Sequence, residues 1–194
     1  MKIISNISSI ASIIAFLFLY NNEQSESEIS TFQYLTLIIF FGASIFMLVL
    51  EYLNRPKKYK NENEIANYMK NWVSKIGRTV IFTRDMSWAN TQEIKNKLLA
   101  KSHSNELIIC LPKKTDLVHE LEKAGAQIIE YKNLNYEPTS RFTIVHYGRN
   151  DSKLAIGRTN KKGEHEINEF ENGTHTQFHL AEDLVNVLKE ISNE

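Results

Sequence analysis

The sequence predicts a two-helix transmembrane hairpin followed by a cytoplasmic α/β domain with a mixed parallel and antiparallel sheet. Three observations carry that expectation. Two charge-free apolar stretches occupy most of the first fifty residues. Basic residues gather directly after the second stretch, while the segment between the two holds Glu but neither Lys nor Arg. Beyond residue 60, short apolar runs alternate with amphipathic ones, first in strand–helix order and then in hairpin order. Averages conceal this pattern: 194 residues carry 23 basic and 23 acidic side chains, and mean hydropathy is −0.33.

The hairpin is assigned to residues 1–54. From Ile3 to Tyr20 and from Thr31 to Leu50 there is no charge. A helix crossing a bilayer core needs roughly 20 predominantly apolar residues. The second segment meets this; Ser5, Ser8, Ser9 and Ser12 weaken the first. Lys2 precedes the first segment, and Arg55, Lys57, Lys58 and Lys60 make 55–61 a basic junction after the second. The loop NNEQSESEIS is acidic. Positive charge stays inside, so both ends are expected in the cytoplasm. A signal peptide in the first segment is the alternative, although no small-x-small cleavage site precedes Asn21. Ser5, Ser8, Ser12 and Ala15 share a helix face, and Gly42, Ala43 and Ser44 form a small patch. Small residues let helices approach closely, either within the hairpin or between copies.

The cytoplasmic domain is assigned to 62–194. Ile65, Met69, Trp72, Val73 and Ile76 lie on one face of a helix that Gly77 ends. Thr79–Thr83 reads as a buried strand, Arg84–Asn90 as a loop, and Thr91–Lys101 as a helix with Ile94, Leu98 and Leu99 inward. Glu106–Leu111 is a second strand, stopped by Pro112. Thr115 caps a helix that Gly125 closes, and Gln127–Tyr131 is a third strand. This order implies parallel strands with right-handed crossovers. Phe142–His146 and Lys153–Arg158 then form a hairpin around Tyr147–Ser152. Glu164–Phe170 alternates as a further strand, which makes the sheet mixed. Leu180–Ile191 closes the chain as a helix with Leu184, Val187, Leu188 and Ile191 expected inward.

Candidate chemistry gathers in two places. The loop TRDMSWAN follows the first buried strand, where ligands bind in open α/β sheets. Arg84 suits phosphate, Trp88 suits stacking on a base, and Asn90 adds a polar contact. The competing reading pairs Arg84 with Asp85 and uses Trp88 to cap the core. The second place is Arg141, at the start of the fourth strand, with the basic hairpin beyond it, where His146, Lys153, Arg158 and Asn160 are candidate ligand contacts. A charge run in a turn is more often simply solvated. Alternation puts Lys153, Ala155 and Gly157 on one face and Leu154, Ile156 and Arg158 on the other.

Several classes are excluded or disfavoured. A single Cys rules out a disulfide framework and a Cys-rich zinc site. Zero net charge disfavours long nucleic acid bound through counterion release. The chain has no H-E-x-x-H, no G-x-x-x-x-G-K-[ST] and no G-x-G-x-x-G. His175 and His179 would share a metal only on a helix, and THTQFHL reads as extended or irregular. No metal, no cofactor and no catalytic residue is expected.

Two resemblances follow. The order of elements, and Gly157-Arg158-Thr159-Asn160 closing the strand–turn–strand, are similar to one half of a phospholipase D-like domain, whose motif ends in G-S-x-N. That family needs a His-x-Lys pair. Here Arg141 or Thr143 stands at the His position, with Thr143 or Val145 two residues on, and His146 is followed by Tyr147-Gly148. The resemblance therefore implies the fold and not the catalysis. Two membrane passes, a basic junction and one cytoplasmic domain resemble, as a layout, the small membrane-anchored ancillary effectors of type III CRISPR systems. That resemblance implies an antiviral effector in the inner (cytoplasmic) membrane of a prokaryote. It also implies a homo-oligomer, a tetramer foremost, whose ligand is a cyclic oligoadenylate, cyclic tetra-adenylate foremost. Ligand binding would rearrange the helices in the bilayer. The alternatives are a membrane-tethered phosphodiesterase or nuclease using His146, and a non-catalytic membrane adaptor.

Overall fold

The computed structural model describes residues 13, 31–53, 55–131, 138–173 and 175–192. The chain divides into two compact units, Met1–Arg55 and Pro56–Glu194.

The transmembrane hairpin, and with it the membrane location, needs correction. Among the described residues no helix is long and apolar enough to cross a membrane. Of the first expected segment, 3–20, all but Ile13 lies outside the described residues, as do Ser5, Ser8, Ser12 and Ala15. The second segment forms helix α1, Thr31–Leu53, of 23 residues. Its ends are polar: Thr31, Gln33 and Thr36 on one side, Glu51 and Tyr52 on the other. Between Thr36 and Glu51 stand residues 37–50, interrupted by Gly42 and Ser44. At about 1.5 Å per residue that run covers roughly 21 Å, against about 30 Å of hydrocarbon. The inner-membrane location falls with the hairpin. Among the described residues nothing lies within 4 Å of a Cβ built on Gly42.

In the second unit, part of the basic junction 55–61 forms a strand. β1, Lys57–Tyr59, pairs antiparallel with β7, His165–Glu171, along one sheet edge. Lys57 reaches Glu169, and Lys58 reaches Glu164 at 3.0 Å. Helix α2, Glu62–Val73, opens on Asn61, whose side chain accepts from the Glu64 amide. It stops earlier than the apolar spacing implies: Ser74 is its C-cap, and the Ser74 amide and hydroxyl both donate to the Lys70 carbonyl. Ile76 is therefore off the helix and 83% exposed.

The remaining elements are β2 (Thr79–Phe82), α3 (Gln92–His103), β3 (Leu107–Leu111), α4 (Asp116–Lys123), β4 (Gln127–Glu130), β5 (Arg141–Val145), β6 (Lys153–Thr159) and α5 (Thr176–Ser192). Thr91 and Thr115 cap α3 and α4, accepting from Ile94 and Val118. The seven strands run in the order β1-β7-β6-β5-β2-β3-β4. β2 pairs parallel with β3 and antiparallel with β5, so the sheet is mixed. Two layers of helix enclose it. One face packs Ile81, Leu107, Ile109 and Leu111 under Ala66 and Val73 of α2, Leu98 of α3 and Val118 of α4. The other packs Val80, Phe82, Ile108 and Ile144 under α5.

Helix α5 begins at Thr176, so His179 is helical rather than extended. It also sits rolled from the expected face. Phe178, Ala181, Val185 and Leu188 are buried, whereas Leu184, Val187 and Ile191 are exposed, together with Leu180. Two apolar stripes compete on this helix, and Phe178, the largest side chain of either stripe, goes into the core.

Two glycines with positive φ separate strain from crowding. A Cβ at Gly125 (φ +109) would stand 2.7 Å from the Ser102 carbonyl oxygen, whereas Gly148 (φ +82) faces open space. Gly148→Ala is expected to cost about 1–2 kcal/mol of backbone strain. Gly125→Ala adds a backbone clash and should cost roughly 3 kcal/mol or more, read as the difference in urea-unfolding midpoints.

Candidate functional site

β2 lies where the sheet changes from parallel to antiparallel. The chain leaves its C-terminal end at Arg84 and enters the neighbouring β5 at Arg141, and a crevice forms there. A cavity of about 170 Å³ occupies that crevice. Four strands supply its floor on one sheet face. Pairing sets Ile81 beside Thr143, and Arg141 opposite Gly157. Gly157 in turn pairs with Ile167, and His165 stands two residues before it on β7. Ile65, Tyr68 and Met69 of α2 form the roof, with Glu62 at its rim.

The loop after β2 is fixed from below. Met86 adopts φ 61, and Met86 and Ala89 are buried in the helix-side core. The Ala89 amide donates to the Met86 carbonyl at 2.9 Å. Asp85 accepts from the Ser87 amide at 3.0 Å and from Arg84 Nε at 3.3 Å. Burial opposes the Asp85 carboxylate, but Ser87 and Arg84 hold it below the ordinary range. Arg84, Ser87 and Trp88 are thereby presented to the cavity. Trp88 also packs on the core, so its capping and its lining roles coexist.

Arg141 is half-buried, and among the described residues no carboxylate lies within ion-pair distance of its guanidinium. His165 is half-buried beside it. Its ring lies across Gly157, where a Cβ would come within 2.7 Å of Nε2. Burial, with Arg141 second, holds the imidazole below its ordinary pKa and favours the neutral form. Thr83 and Thr143 add buried hydroxyls. Glu62 is the one acid among the described lining residues. The arrangement thus offers guanidinium, hydroxyl and imidazole groups beside an indole, inside a small pocket.

The sequence-derived candidates separate into groups. Arg84, Trp88 and Arg141 line this cavity together. Asn90 is exposed on the same loop, outside the lining. His146 sits at the other end of β5 with φ 55, its Nδ1 2.8 Å from Asp151. Lys153 pairs there with Glu171 at 2.7 Å. Arg158 lies on the opposite sheet face from Gly157 and stands 3.6 Å from Glu166. Asn160 holds its turn, donating to Glu164 and Glu166 and accepting from the Lys162 and Glu164 amides. Glu62 and Tyr68 were not among the sequence-derived candidates, and His165 was weighed only as a metal ligand beside His175 and His179. A signal for His165 existed: it shares the parity of apolar Ile167, while Glu164 and Glu166 take the other face.

Elsewhere, Cys110 is buried, and burial pushes its thiol up to about 12. Among the described residues no group of His, Cys, Asp and Glu is placed to hold a metal ion. No protein-family model matches the chain, and no curated protein matches it.

The neutral state of His165 has a consequence for stability. Unfolded, the imidazole takes up its proton near pH 6.5; folded, it does so at lower pH. The unfolded chain therefore binds more protons as pH falls through that window, and stability falls with it. Urea midpoints measured between about pH 7.5 and 5.5 should decline, and His165→Asn should make that decline shallower.

Proposed function

We propose that the Pro56–Glu194 unit is a non-enzymatic receptor for a phosphate-bearing nucleotide, with cyclic oligoadenylate, cyclic tetra-adenylate foremost, as its ligand. The observation that carries this reading is Arg141: a half-buried cation without a carboxylate partner among the described residues, in a cavity that also holds Trp88. Burying a charge is costly unless an opposite charge accompanies it. A phosphate supplies that charge, and guanidinium geometry matches it. An indole beside the phosphate site gives the base a stacking surface. Arg84 is tied to Asp85 and contributes less.

Size refines the reading. About 170 Å³ is below the roughly 300–1,000 Å³ typical of drug-sized ligand sites. One subunit therefore grips one phosphate with part of its nucleoside. A ring of four nucleotides would require several copies, each presenting the same arginine and indole, and a homotetramer meets that symmetry. The cavity chemistry supports a phosphate-bearing nucleotide; cyclic oligoadenylate is the member of that class that the resemblance to CRISPR ancillary effectors names, and the two-pass layout behind that resemblance lends it no support. The phosphodiesterase alternative is weaker. Its nucleophile, His146, is held by Asp151 far along the sheet from the cavity.

Titration calorimetry of the full chain with cyclic tetra-adenylate tests the proposal. Binding at micromolar concentration or tighter is expected. Arg141→Gln should weaken it at least about ten-fold, which is about 1.4 kcal/mol. Trp88→Ala should weaken it by roughly ten-fold through lost stacking. Arg158→Gln and Lys153→Gln should leave affinity within about two-fold. Absence of heat with every ring size at about 100 μM, a concentration that reports affinities near −5 to −6 kcal/mol, would overturn the reading.

A further inference from the structure

We propose that His165 is a phosphate ligand of this cavity and binds in its imidazolium form, so that ligand binding is accompanied by proton uptake. The proposal rests on the receptor reading above and adds to it a residue and a chemical signature.

Position comes first. The β6 strand makes room for the imidazole: a side chain at residue 157 would collide with Nε2. Residue 157 pairs with Arg141, so guanidinium and imidazole stand on the same face and line one cavity. A phosphate oxygen held by Arg141 is therefore presented to the His165 ring.

Charge comes second. β5 presents Arg141 to the ring, and β6 presents Gly157 and Ala155, which do not titrate. From α2 come Glu62, at the exposed rim, and Tyr68, whose hydroxyl donates to Glu169 at 3.1 Å. Glu169 is further held by Lys57. β1 places Tyr59 opposite His165 in register. Arg84 borders the cavity from the β2 loop, tied to Asp85. On β7 itself, Glu164 and Glu166 flank His165 on the opposite face and are engaged by Lys58, Asn160 and Arg158. Among the described residues no carboxylate is hydrogen-bonded to the imidazole. In the free protein the nearest formal charge across the strand is thus a like charge, and the neutral ring is the favoured state.

A bound phosphodiester reverses that balance. It neutralises Arg141, and it offers an acceptor oxygen to the imidazole N–H. Both effects favour the charged ring. Binding and protonation are then reciprocally linked: ligand raises the proton affinity of His165, and protons raise the affinity for ligand. The proton comes from solvent, and no covalent bond changes.

The test is calorimetry of the full chain with cyclic tetra-adenylate, whose phosphodiesters and adenines do not titrate near neutrality. Near pH 7, titrations in two buffers of different ionisation enthalpy should differ in apparent heat by an amount that reports a fractional to full proton taken up per site. Affinity should rise as pH falls from about 8 to 6, by up to about ten-fold per pH unit. His165→Gln keeps a hydrogen-bond donor but cannot take up a proton; it should lose both the pH dependence of affinity and the buffer-dependent heat. Binding with no proton uptake in the parent chain overturns this proposal and leaves the receptor reading standing, and that measurement needs no variant. Uptake that persists undiminished in His165→Gln also overturns it, because the proton then belongs to another group. No binding at any pH overturns both.

Discussion

The fold turns on how the C-terminal end of β2 is held. Phe82 stacks between Phe142 of β5, at 4.8 Å and 7°, and Tyr131 after β4, at 5.2 Å and 14°. The Tyr131 hydroxyl donates to the Thr83 carbonyl at 3.2 Å, closing off the strand end. Offset aromatic pairs of this kind add to the area they bury. They also join the parallel half of the sheet to the antiparallel half across the one strand both share. With that strand end fixed, the chain leaving it at Arg84 and the chain entering at Arg141 face one cavity. The site therefore follows from a packing constraint on the opposite face of the sheet.

Electrostatics then distinguishes pairs that are made from those that are missing. Most ion pairs here lie at the surface, such as Lys153–Glu171 and Lys114–Glu122, where each contributes little. The lysines of β1 have a more specific place. An edge strand exposes unpaired backbone groups, and charged side chains discourage further pairing. Lys57 meets Glu169 on one face of β7 and Lys58 meets Glu164 on the other, while β1 covers its edge. Arg141 has no such partner among the described residues and lines the cavity as a cation.

Legibility in the sequence varied with the range of the interactions involved. Strand and helix positions in residues 79–131 were readable because Thr91, Thr115, Pro112 and Gly125 mark their ends locally. The alternation of β6 was readable too: Gly157 and Arg158 do fall on opposite faces. Where two local patterns competed, reading failed. In α5 the stripes through Phe178 and through Leu184 are both apolar, and only the depth of the pocket available to Phe178 selects between them. At Ile76 the apolar period ran past the helix end, which lies at Val73 with Ser74 as its cap. For residues 31–50 the absence of charge overstated the apolar length, because Thr, Gln and Gly weaken a span without ending it.

The candidate site shows the same division. The sequence by itself determined that an arginine and a tryptophan follow the first buried strand, that another arginine opens the strand after the long loop, and that a mixed sheet holds both. Each is a property of neighbouring residues. Which of eight candidates meet was decided by tertiary structure. Antiparallel pairing with β2 carried Arg141 to the cavity and His146 to the far end of the same strand. Pairing of β6 with β7 brought His165 over Gly157, while turning Arg158 and Asn160 toward Glu166. Strand register joins residues far apart in the chain, and a register is selected by the buried face of the whole sheet, not by any one segment.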